Sequence, residues 1–156
     1  MRRFRLQKVL DLRIWREQER ALRLGEARRR AEEAARELER LHAALAAGQE
    51  RRAEAQEGGG KVGELRPLEL LLDRLEVRIA EAVAAYRAAE REVEASLRDY
   101  ADAFRQRRVL EELRARFLEV LRQEEARAER KAMDDIAVTR HGRSLGSAGA
   151  PGGEGP

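Results

Sequence analysis

The sequence predicts an all-α protein: a long antiparallel two-helix coiled-coil hairpin. Three observations carry that expectation. Charged residues make up 40% of the chain and aromatics 4%, and Ala, Glu, Arg and Leu dominate its middle, a composition typical of long helices with heptad-like spacing. Apolar residues recur alternately three and four positions apart, the spacing of a left-handed coiled-coil seam. Between residues 4 and 137 only the stretch 58–63, with four glycines in six residues, plainly breaks the helical pattern.

The first helix is expected over about residues 4–57. Leu6, Leu10, Ile14, Ala21, Leu24, Ala31, Ala35, Leu38 and Leu45 form its stripe, interrupted by Glu17, Arg28 and His42. Alanine buries little surface but lets two helices approach closely. So narrow an apolar face needs a partner helix to persist in water.

The turn is expected over residues 58–65. Its sequence, "EGGGKVGELRP" with the flanking residues, is the one place that resembles a phosphate-binding loop. A Walker loop needs G-x-x-x-x-G-K-[ST] between a buried strand and a helix. Here the earlier glycine is missing, Val62 stands where a hydroxyl must reach magnesium, and "RRAEAQE" before it is a helix tail. Glycine costs about 1 kcal/mol per position inside a helix, so the stretch reads as a bend.

The second helix is expected over about residues 66–137, with Pro67 in its first turn, where the missing N–H costs nothing. From Leu65, through Leu68, Leu72, Leu75 and Ile79, alternate steps of three and four reach Ala128, and 15 of the 19 positions met are apolar or Tyr. The exceptions begin at Ser96, so the seam is cleanest near the turn. Folding about Lys61 pairs residues whose numbers sum to about 122, placing Leu10 near Leu110 and Phe117, and Leu45 near Leu75 and Ile79. At about 1.5 Å per residue the helices span on the order of 80 and 105 Å, the second overshooting the N-terminus by roughly four or five turns. Residues 1–141 thus form the hairpin, and the Gly/Pro/Ser-rich residues 142–156 are expected to be disordered.

Several function classes are excluded at this level. No apolar run approaches the roughly 18 residues that a membrane span needs. The basic start lacks the continuous apolar stretch of a signal peptide, so the protein is expected to stay where it is made, without direct membrane insertion. The absence of cysteine fits the cytosol. His42 and His141 have no nearby ligand set, and the adjacent Asp134 and Asp135 point in different directions on a helix. No metal and no cofactor is expected. The remaining carboxylates are explained by pairing with arginines one helical turn away, and a two-helix hairpin encloses no pocket. The chain reads as a non-enzyme.

Function then lies on exposed faces. Net charge is +3 but uneven: residues 1–30 hold 11 Arg/Lys against 4 Asp/Glu, and residues 104–116 hold five Arg against two Glu. At this basic end Leu12 and Trp15 lie off the seam, and Val109, Leu118 and Val120 add apolar surface. Arg5, Arg13, Arg16, Arg105, Arg107 and Arg108 surround them, a pattern of apolar anchors ringed by arginine that suits protein docking. Near the turn, Leu70 and Val77 form an outward stripe with Ala84, and Leu41 is its expected neighbour on the first helix. Nucleic acid is the rival for the basic end. The arginines alternate with glutamates and stacking aromatics are sparse, so no nucleic-acid partner is expected. A purely structural coiled coil is the other alternative.

"FRLQKVLDLR", residues 4–13, resembles the opening of the flagellar export protein FliJ family, and "EEARAERKAMDDIAV", residues 124–138, resembles its closing pattern. YscO-like stalk proteins of type III secretion share the layout; the N-terminal motif favours the flagellar branch. The resemblance implies a non-enzymatic, cytoplasmic stalk of the flagellar type III export apparatus, peripheral at the inner membrane. Its implied partners are a hexameric export ATPase, the cytoplasmic domain of the membrane export-gate protein, and export chaperones. On that model the end bearing both termini enters the ATPase ring and the turn points toward the gate.

Overall fold

The structure, a computed structural model, describes residues 2–148. It consists of two helices, α1 (Gln7–Glu57, 51 residues) and α2 (Val62–Ala148, 87 residues). The chain divides into two compact units, one of Lys8–Arg108 and the other of Met1–Gln7 with Val109–Pro156.

In the larger unit the helices pack antiparallel. Glu17 pairs with Arg107, Arg30 with Glu92, and Glu37 with Arg78, while Gly48 meets Leu72. Partner numbers fall along α2 as they rise along α1. The expected α2 seam is the observed one: Leu65, Leu68, Leu72, Leu75, Ile79, Ala82, Tyr86, Ala89, Val93, Ser96, Tyr100 and Ala103 are all buried or half-buried.

The α1 seam differs by one residue in half of its positions. The series Leu10, Glu17, Leu24, Ala31, Leu38 and Leu45 lies on it as expected. The alternate series is Arg13, Arg20, Ala27, Ala34, Leu41, Gly48 and Ala55, all buried or half-buried. Ala21 and His42, placed on the stripe by sequence, are exposed. Within this series Ala27 and Gly48 let α2 come close. A Cβ on Gly48 would stand 2.7 Å from Leu72 Cδ2, so the leucine fills the space that the glycine leaves.

The turn is shorter than expected because α2 begins early, while its glycines cap the end of α1. Gly59 takes a positive φ of 71°. Its N–H donates to the Gln56 carbonyl at 3.3 Å, and the Gly60 N–H donates to the Ala55 carbonyl at 2.8 Å. This is a Schellman cap, in which a left-handed residue turns the last N–H groups back onto open carbonyls. The Lys61 carbonyl then accepts from the N–H groups of Glu64 and Leu65, and α2 begins at Val62 rather than near residue 66. Pro67 accordingly sits inside the helix, where one backbone hydrogen bond is forgone.

In the smaller unit the N-terminal segment lies against α2. The Phe4 and Phe117 rings are 5.7 Å apart, and Arg2 reaches Glu124 at 3.4 Å. From Arg122 to Gly146 every α2 residue is exposed. The helix also continues past residue 137 to Ala148. Lone glycines there cost about 1 kcal/mol each, and the Thr139 and Ser144 hydroxyls donate to the carbonyls of Asp135 and His141, keeping both side chains on the helix. The rest of the expected disordered tail, residues 149–156, lies outside the described residues.

Candidate docking surfaces

The N–H groups of Gly58, Gly59 and Gly60 all donate to α1 carbonyls, so the three glycine donors are committed to capping. Among the described residues no group of three or more His, Cys, Asp or Glu could hold a metal ion. The hollows along the helices are open grooves. The one at the basic end has Arg13, Arg16 and Arg20 on its α1 side and Asp99 and Asp102 on its α2 side.

In the larger unit, Leu12 and Trp15 are exposed by 45% and 58%. Three residues apart on α1, they share a face. Arg16, next to Trp15 in sequence, is exposed, and Arg105 and Arg108 are exposed on α2. Arg105 makes a 3.5 Å contact with Asp102 one turn back. Leu22, seven residues after Trp15, extends the apolar face and is also well exposed. Sequence reasoning missed it, although the i to i+7 spacing from Trp15 was there to be read.

Two of the expected surface arginines are seam residues instead. Arg13 is half-buried and donates to Gln106 Oε1 at 2.5 Å. Arg107 pairs with Glu17, the two side chains only 20% and 15% exposed, and its guanidinium lies 5.1 Å from the centre of the Phe104 ring. Both occupy positions of the three-four repeat that point at the other helix, so their charge is spent between helices.

Near the turn, Leu70 and Val77 are exposed by 53% and 59%, and Leu71 widens the stripe. Leu41 does not join it. It is 5% exposed, a core residue of the corrected α1 seam. In the smaller unit Arg5 is exposed, and Val109, Leu118 and Val120 are exposed apolar residues of α2.

These are surfaces without a reaction centre, carried on paired helices whose sequence ends match one known pattern. The family model described as flagellar FliJ protein matches residues 1–146. The chain belongs to the FliJ family. No curated protein and no solved structure matches it. A FliJ-family chain is a non-enzymatic stalk component of the flagellar type III export apparatus, and FliJ proteins interact with the export ATPase and with gate proteins. In this FliJ-family chain no helix among the described residues is long and apolar enough to cross a membrane.

Proposed function

We propose that this chain stimulates and helps assemble a hexameric export ATPase in the cytoplasm, at the inner membrane's inner face, and couples it to the export gate. The basic end docks into the ATPase through Leu12 and Trp15, with Arg16, Arg105 and Arg108 supplying charge. Arg13 and Arg107 hold the seam behind that surface. The observation that carries the reading is a tryptophan more than half exposed beside an exposed leucine, with Arg16 exposed next to it. Tryptophan in such a setting is the residue type most enriched at the centre of protein interfaces. The outward stripe of Leu70, Leu71 and Val77 meets the cytoplasmic domain of the gate protein.

The mechanism is asymmetric contact. One helical hairpin inside a sixfold ring touches the six subunits unequally and biases their nucleotide states. The purified chain hydrolyses no ATP and raises turnover of its cognate export ATPase. The combined Leu12→Glu and Trp15→Ala variant is expected to lose most of that stimulation while keeping full helicity by circular dichroism. Undiminished stimulation by that variant would refute the docking assignment.

A further inference from the structure

In the smaller unit the α2 residues from Arg122 to Gly146 are helical and exposed, so any stripe they carry has no cover among the described residues. Alternate steps of three and four along this stretch meet Ala126, Glu129, Met133, Ile136, Arg140 and Arg143. That is the spacing of a coiled-coil seam. Its two large apolar residues stand at the centre, both well exposed, with an acid before them and two bases after. Glu125 borders the acidic end. On a lone helix this order is unfavourable, because Glu125 and Glu129 are like charges one turn apart, and so are Arg140 and Arg143. Among the described residues none of these four forms an ion pair.

The order is its own complement when reversed. A two-fold axis passing between Asp134 and Asp135 sets Met133 against Ile136 of a second copy, Glu129 against its Arg140, and Ala126 against its Arg143, with Glu125 bordering that Arg143. Symmetry makes each contact twice. Along the flanks Arg130 meets Ala137 and Ala132 meets Thr139, so no like charges face one another there, and Asp134 and Asp135 fall on the far side of the helix. A parallel pair would instead set Glu129 against Glu129 and Arg140 against Arg140. Charge therefore selects both the occupant and its direction, while the apolar centre supplies attraction. We propose that residues 126–143 of α2 pair with the same segment of a second copy as an antiparallel coiled coil. The contact is weak. Two large apolar side chains per copy along about 27 Å of helix fall short of the ~800 Å² per partner of a standard interface, and exposed ion pairs add little. Pairing thus depends on concentration, and it stands independently of the ATPase-docking face.

Sedimentation equilibrium of the full chain tests this. The parent is expected to weigh 17.8 kDa when dilute and to move toward twice that mass as concentration rises from about 10 μM to about 1 mM. Arg140→Glu sets two acids opposite each other in both halves of the contact and is expected to raise the dimer Kd by about tenfold or more, as is Glu129→Arg for two bases. Mixing these two variants restores both pairs, and the mixture is expected to dimerise at least as tightly as the parent. Circular dichroism of each variant should show parental helicity. Leu12→Glu with Trp15→Ala is expected to dimerise as the parent does. A parent that stays at monomer mass throughout overturns the proposal. So do single charge variants that dimerise like the parent, which would place the contact elsewhere or make it parallel, and a mixture that pairs no better than its components.

Discussion

At Gly59 the backbone enters the left-handed region, and at Gly60 a Cβ would stand 2.6 Å from the Ala55 carbonyl oxygen. The two positions need glycine for different reasons, and substitutions there should fail differently. Gly59→Ala is expected to cost about 1 to 2 kcal/mol, the strain of a left-handed alanine, with the capping bonds kept. Gly60→Ala must push apart the cap itself and should lower the urea midpoint further. Gly25 is the control: it lies inside α1, and a Cβ added there would meet nothing within 4 Å. Gly25→Ala is expected to raise stability by about 0.5 to 1 kcal/mol. Urea unfolding followed by circular dichroism ranks all three. Tyr86 offers a spectroscopic check on α2. Its hydrogen bond to Glu90, and then the carboxylate's charge, hold the phenol above a tyrosine's ordinary value of 10.0. A raised folded value favours the neutral phenol, so this contribution is present below the unfolded value and is lost as pH rises through the folded one. Glu90→Gln, in a Tyr100→Phe background, should move the phenolate absorbance transition to lower pH.

At the scale of elements, α2 was legible because large aliphatic residues mark its seam without ambiguity, from Leu65 and Leu68 through Ile79. The α1 seam was half legible. Its first series is marked by Leu10, Leu24, Leu38 and Leu45, but the second holds Arg13, Arg20 and Gly48, which no hydrophobic pattern selects. Adjacent Ala34 and Ala35 made two registers look equally good. That single-position error put Leu41 on the outside and His42 on the inside. It also hid the interhelical role of Arg13, while the pairing of Arg107, which the three-four series from Leu65 does meet, depends on a partner helix that the local sequence does not contain. Leu72, 4% exposed and packed into the space at Gly48, tests the corrected seam. Leu72→Ala removes the buried side chain that fills the space at Gly48 and is expected to cost about 2 to 5 kcal/mol, read as a fall in the urea midpoint. Val77→Ala, on the exposed stripe, should leave that midpoint within about 0.5 kcal/mol of the parent while weakening capture of the gate protein's cytoplasmic domain.

Across the whole molecule the charge is uneven, with a net +7 on residues 1–30 against +3 for the full chain. Exposed arginines are screened by salt, whereas a half-buried pair such as Glu17–Arg107 is screened far less. Raising salt to about 0.5 M, where the screening length falls to roughly 4 Å, should therefore weaken ATPase stimulation while leaving the thermal midpoint of the free chain nearly unchanged. A parallel loss of both would place the exposed arginines in the fold instead of the contact. The unburied stretch of α2 from Arg122 to Gly146 has a consequence for solution measurements. Its amides are held by helical hydrogen bonds without packed side chains to slow their opening. Deuterium uptake should thus be slow around Leu72 and Leu75, faster beyond Arg122, and fastest toward the helix end. Any molecule that seats on that distal stretch will announce itself as newly retained protons where the free chain exchanges within seconds.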